Sequence, residues 1–150
     1  LASFEGVKRR FECYINSPRQ VYIDDYAHHP NELRAAISSI RGMFPGRKLT
    51  AVFQPHLYTR TRDFHKDFAK ALTEADEVFL LPIYPAREEP IAGIDSELIA
   101  SGVKKPCRVV AKADIASALS AADTDVVVTF GAGDIDKECT AIAEALEAKA

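Results

Sequence analysis

The sequence predicts an α/β fold: a Rossmann-like, doubly wound mixed sheet of mostly parallel strands, with an antiparallel edge hairpin and helices on both faces. Three observations lead there. Short apolar, β-branched runs alternate repeatedly with stretches of helical period, the pattern of crossover units. The first two runs are separated only by Asn16 to Gln20, with Pro18 among them, which is too short for a parallel crossover. The chain of 150 residues is 47% hydrophobic, enough for one sizeable core and one domain.

The expected strands are residues 11–15, 21–26, 49–54, 77–84, 108–111 and 125–130. A first helix is expected over 31–43, where Leu33, Ile37, Ile40 and Met43 fall on one stripe behind Pro30, a residue suited to a helix start. A second is expected over 62–75 from Phe64, Phe68 and Leu72, and a last one from Ile135 onward through Cys139, Ile142 and Leu146. The stretch 85–106, punctuated by Pro85, Pro90, Gly93, Gly102 and Pro106, reads as a long loop with one short helix near 96–100.

Composition narrows the function. With 19 basic and 22 acidic residues the formal charge is -3, which provides no dense basic face for nonspecific nucleic-acid binding. The longest apolar runs, such as Val78 to Leu81, are far shorter than the ~20 residues of a membrane helix, and no signal-peptide pattern opens the sequence. Cys13, Cys107 and Cys139 are odd in number and widely spaced, which fits a reducing compartment. The sequence begins at Leu1 rather than Met, and a processed chain or a piece of a larger protein is expected.

In such a sheet, ligands collect beyond the carboxyl ends of the strands. Four segments lie there. Asp24-Asp25-Tyr26-Ala27-His28-His29-Pro30 concentrates carboxylates, a phenol and imidazoles; at least one is expected to cap the next helix, the others to touch a ligand. Phe53-Gln54-Pro55-His56-Leu57-Tyr58-Thr59-Arg60-Thr61-Arg62 places His56 and Arg60 in a strand-to-helix loop with Arg62 just inside the helix, and Thr59 or Thr61 as a possible N-cap. Arginine's planar fork suits a carboxylate or phosphate, although Arg62 reads equally well as a solvated helix-start residue. Tyr84 to Pro90, with Arg87, Glu88 and Glu89, is either a solvated loop or a ligand contact. In Gly131-Ala132-Gly133-Asp134 the glycines admit a ligand or a neighbouring loop; GxGxxG fails because Asp136 stands at the third glycine position. No GxxxxGK[ST] phosphate loop and no GxSxG elbow occur. His28, His29 and His56 with Asp24 or Asp25 could in principle hold zinc or manganese, making a metal-dependent hydrolase one alternative, but adjacent histidines point apart and no metal site is expected.

Together these segments resemble the C-terminal domain of the Mur ligases. Asp24 to Pro30 matches DDYxHHP, Phe53 to Thr61 matches FQPHxYxRT, Tyr84 to Gly93 matches YxAxExPIxG, Gly131 to Ile135 matches GAGDI, and Phe4 to Glu12 looks like the stretch leaving the central domain. Five motifs in order cover nearly the whole chain. The resemblance implies the last third of a bacterial cytoplasmic enzyme of peptidoglycan synthesis, closing over an ATP- and magnesium-binding central domain and inactive alone. Residues 1–10 would be the end of the linker from that domain. The pattern is most similar to the members joining L-alanine to UDP-N-acetylmuramate through an acyl phosphate; the tripeptide-recycling ligase is the alternative. It implies that His28, His56, Arg60 and Tyr26 meet L-alanine and that Asp24, Asp25 and Tyr26 approach the nucleotide. Arg62, Glu88, Gly131 and Gly133 would make lesser contacts. Leu57 departs from the pattern, which often has arginine there; Arg62 would substitute, or Arg60 would act alone.

Overall fold

Six strands form one sheet in the order β1-β2-β6-β3-β4-β5 in the computed structural model, which describes residues 11–149. The strands are β1 (Glu12–Asn16), β2 (Val21–Asp25), β3 (Leu49–Phe53), β4 (Glu77–Leu80), β5 (Cys107–Val109) and β6 (Val126–Phe130). β1 pairs antiparallel with β2 and all other neighbours are parallel, as the short hairpin connection requires. The helices are α1 (Pro30–Met43), α2 (Tyr58–Leu72), α3 (Ser96–Ala100), α4 (Ile115–Ala121) and α5 (Cys139–Lys149). The expected linker end, residues 1–10, lies outside the described residues.

Alternation along the strands separates two cores. Val21, Ile23, Ala51, Phe53, Val128 and Phe130 pack with Leu33, Ile37, Phe68 and Leu72 of α1 and α2. Tyr22, Val52, Phe79 and Val127 face the other way, onto Leu119 of α4 and Ile142 and Leu146 of α5. Burying each such aliphatic side chain contributes roughly 1.5–3 kcal/mol.

Several expectations are corrected. α2 begins at Tyr58, not Arg62, because its first turn, Tyr58-Thr59-Arg60-Thr61, has no apolar stripe to announce it and takes its N-terminal partner from a distant loop. Leu57, with φ 76, is the N-cap, rather than Thr59 or Thr61. Met43, the last residue of α1, and Phe64, in the middle of α2, are expected on buried stripes but are 53% and 40% exposed. β4 stops at Leu80; beyond it only an isolated bridge between His56 and Tyr84 continues the pairing. The 3₁₀ turn Asp134–Glu138 delays α5 to Cys139. α4 was not expected at all, although Ile115 and Leu119 four apart among alanines mark a short amphipathic helix.

Candidate functional site

β6 lies between β2 and β3, yet the chain leaves β2 and β3 toward the α1–α2 face and leaves β6 toward α5. Connections therefore diverge on both sides of β6, which opens a crevice beyond the strand ends. Register places Asp25, Phe130 and Phe53 side by side at that edge, and the polar segments after them converge.

The β2 end is internally tied. Asp24 is fully buried and its Oδ1 accepts a 2.6 Å hydrogen bond from Thr129, whose hydroxyl also meets Tyr22 at 3.0 Å. Asp25 Oδ1 accepts from the Ala27 N–H at 2.9 Å, closing a local Asx-type turn. Tyr26, which follows them, is 46% exposed. The cap of α1 comes from neither aspartate: Glu32 Oε1 accepts from the N–H groups of His28 and His29 at 3.1 and 3.2 Å, with Pro30 as the first helical residue.

The β3 end carries the cation. His56 follows Pro55 out of the strand, and Arg60 stands in the first turn of α2, where Arg60 Nη1 donates to His56 Nδ1 at 3.1 Å. A cation in the first turn opposes the helix dipole, and α2 has no acidic residue of its own there. The loop after β4 supplies one. Glu88 accepts from the Tyr58 N–H at 2.5 Å, the Thr59 N–H at 3.1 Å and the Thr59 hydroxyl at 2.5 Å. These bonds, led by the Thr59 hydroxyl, hold its carboxyl below the usual range. The same loop seats His56, whose ring stacks on Tyr84 at 5.5 Å and 14°. Arg62, half exposed, pairs with Asp63 at 2.9 Å.

The closing loop is a lock that the sequence did not announce. Gln54, buried, donates to Asp134 Oδ1 at 2.7 Å and accepts from the Ile135 N–H at 3.1 Å, while Lys112 donates to Asp134 Oδ2 at 2.5 Å. Gly131 has φ +150, and a Cβ at Gly133 would stand 2.6 Å from both Gln54 Oε1 and Tyr84 Cγ. Both glycines lie close to the segment that follows β3, Gly131 with a Cβ position 3.1 Å from the Gln54 carbonyl oxygen.

The structure thus brings His28, His29, His56, Tyr26 and Arg60 together. The ring centroids of His28 and His56 are 6.2 Å apart, those of His28 and His29 4.8 Å, and those of Tyr26 and His28 5.2 Å. Burial, then the Arg60 charge, then His28 push both His56 and His29 below the ordinary histidine value. Arginine cannot accept a hydrogen bond, so Nδ1 of a neutral His56 is the acceptor and its proton sits on Nε2. The cluster presents donors and a guanidinium fork, which suits a carboxylate. Burial pushes the Cys107 and Cys139 thiols up to about 11, which disfavours the thiolate. Among the described residues, no three His, Cys, Asp or Glu side chains gather to hold a metal ion, and no helix is long and apolar enough to cross a membrane.

Known proteins are similar to this chain in sequence and fold. UDP-N-acetylmuramate–L-alanine ligase of Flavobacterium johnsoniae is 50% identical over 147 residues, covering 97% of this chain and 33% of that protein. The ligase of the same name from Phocaeicola vulgatus is 52% identical over 141 residues, covering 91% and 30%. The crystal structure of UDP-N-acetylmuramate–alanine ligase from Thermotoga maritima superposes with a TM-score of 0.76 at 27% identity, covering 95% of this chain and 30% of that one. The chain spans about a third of the length of these relatives. A family model described as Mur ligase, glutamate ligase domain, matches residues 9–133, and the chain belongs to that family.

Proposed function

We propose that this chain is the amino-acid-accepting, closing domain of a bacterial cytoplasmic ligase that joins L-alanine to UDP-N-acetylmuramate at the expense of ATP in peptidoglycan synthesis. The observation that carries the reading is the Arg60–His56 contact at the strand ends, a cation and a neutral imidazole donor side by side. The relatives named above as L-alanine ligases, about 50% identical, support the choice of acceptor over the tripeptide-recycling alternative.

In this reading ATP phosphorylates the muramoyl carboxylate to an acyl phosphate. The alanine amine forms the C–N bond, and the C–O bond to phosphate breaks with its electron pair leaving on phosphate. Arg60 and the His56 Nε2–H hold the alanine carboxylate, which fixes the amine toward the acyl carbon; the contribution is positioning. Arg60 is the fork joined to His56, while Leu57 carries no charge and Arg62 pairs with Asp63. Tyr26, exposed at the end of β2, is the side chain offered to the nucleotide, while Asp24 and Asp25 shape the turn beneath it.

Among the described residues no cluster of carboxylates and imidazoles would hold magnesium, and the sequence has no phosphate loop. ATP and magnesium are therefore assigned mainly to the central domain of the whole enzyme, against which this chain would pack. The chain alone is expected to release no phosphate from ATP. The test is product analysis with the full-length enzyme. Phosphate release that requires UDP-N-acetylmuramate, ATP and L-alanine together, with one amide formed per phosphate, supports the reading; release independent of the amino acid contradicts it.

A further inference from the structure

The two imidazoles nearest the crevice are held in opposite tautomers. His28 Nδ1 lies 3.1 Å from the Tyr26 carbonyl oxygen and 3.5 Å from Glu32 Oε1, and a carbonyl and a carboxylate can only accept. The His28 proton therefore sits on Nδ1, which leaves Nε2 as a lone-pair acceptor with no hydrogen-bond partner among the described residues. In His56 the order is reversed: Nδ1 accepts from Arg60 and Nε2 carries the proton.

The groups facing His28 are Tyr26, His29 and Glu32 from its own segment and His56, backed by Arg60, from the β3–α2 side. Arg60 disfavours a second positive charge on His56 and His29. His28 is the imidazole whose Nδ1 has a carboxylate within 3.5 Å, and its side chain is 19% exposed, sheltered yet reachable. An acceptor nitrogen oriented from behind by a carboxylate and a carbonyl is the arrangement of a general base.

We propose that His28 Nε2 takes a proton from the alanine ammonium, which makes His28 a catalytic residue of the ligation, while His56 serves the carboxylate. This rests on the function proposed above. The ammonium gives one proton to His28 and becomes a free amine, whose lone pair forms the bond to the acyl carbon. The tetrahedral adduct then loses a second amine proton to the departing phosphate as the C–O bond breaks, and His28 returns its proton to water. Glu32, 3.5 Å from Nδ1, balances the transient imidazolium.

The experiment uses the full-length enzyme with two nucleophiles, L-alanine and hydroxylamine. The second is already uncharged near neutral pH and captures the acyl phosphate as a hydroxamate. His28→Gln is expected to lower kcat with alanine by about 10²-fold or more, as loss of a general base does, with the alanine KM within a few-fold. The alanine-to-hydroxylamine rate ratio should fall by a similar factor. Glu32→Gln, which retains a capping oxygen, should lower that ratio by about tenfold and so tests the same claim through a second variant. An unchanged ratio in a folded His28→Gln enzyme, or a wild-type rate with alanine, overturns the base assignment. Failure of the wild-type enzyme to ligate alanine at all overturns instead the function on which it rests.

Discussion

Arg60 and His56 are one helical turn apart in sequence and joined by a 3.1 Å hydrogen bond from the guanidinium to Nδ1, so a side chain able to fork onto a carboxylate at this strand end also sets the tautomer of its neighbour. Arg60→Ala removes both effects. In the full-length enzyme it should raise the alanine KM by about 10–100-fold, the range of one charge-assisted hydrogen bond, while the ATP KM changes little. Steady-state kinetics with each substrate varied in turn checks this.

His56 and His29 carry a pH consequence. Burial and Arg60 lower both below the ordinary value of 6.5, so the unfolded chain binds protons more readily than the folded one. The stability this gives is complete above the unfolded value and is lost as pH falls through the folded values. Thermal melting of this chain should show a falling Tm between about pH 7 and pH 5, with a shallower slope in His56→Gln.

Glu88 ties the loop after β4 to the first turn of α2. Glu88→Gln should lower Tm modestly, and Glu88→Ala more, because the Tyr58 and Thr59 N–H groups and the Thr59 hydroxyl lose their shared acceptor. Its carboxyl is held below the usual range, so this support is present above ordinary carboxylate values and lost as pH falls through the depressed one. Since Arg60 rides on the same turn, the alanine KM of the full-length enzyme should rise with the loss of Tm.

Gly133 is fixed by contact. A Cβ there would stand 2.6 Å from Gln54 Oε1 and Tyr84 Cγ, pushing apart the loop that holds Asp134 and the aromatic ring that seats His56. Gly133→Ala should cost about 1–3 kcal/mol in urea denaturation, the usual penalty of overpacking. Gly42→Ala, in α1 with nothing within 4 Å of its added Cβ, serves as the control and should be neutral or stabilising.

The sheet, its edge hairpin and four of the five α-helices among the described residues were legible because strand alternation, helix period and turn residues are local signals. Residues such as Val21, Ile23, Leu33 and Ile37 report their own burial. The crevice was legible because the strand-end rule collects Asp24 to Pro30 and Phe53 to Arg62 without reference to chemistry. What escaped depends on pairs distant in sequence. Glu88 caps a helix 30 residues away, which is why α2 begins four residues before the start its apolar period predicts, and Gln54 reaches Asp134 across 80 positions. α4 escaped for a different reason: its seven residues hold only two large apolar side chains, Ile115 and Leu119.

The most direct test of the central claim, that the strand-end crevice is built for a single free amino acid, is the acceptor choice of the full-length enzyme. With UDP-N-acetylmuramate and ATP saturating, kcat/KM for free L-alanine is expected to exceed that for the L-alanyl-γ-D-glutamyl-diamino acid tripeptide by at least about 10³-fold, with Arg60→Ala narrowing the gap. Turnover with the tripeptide and none with free L-alanine would contradict the account.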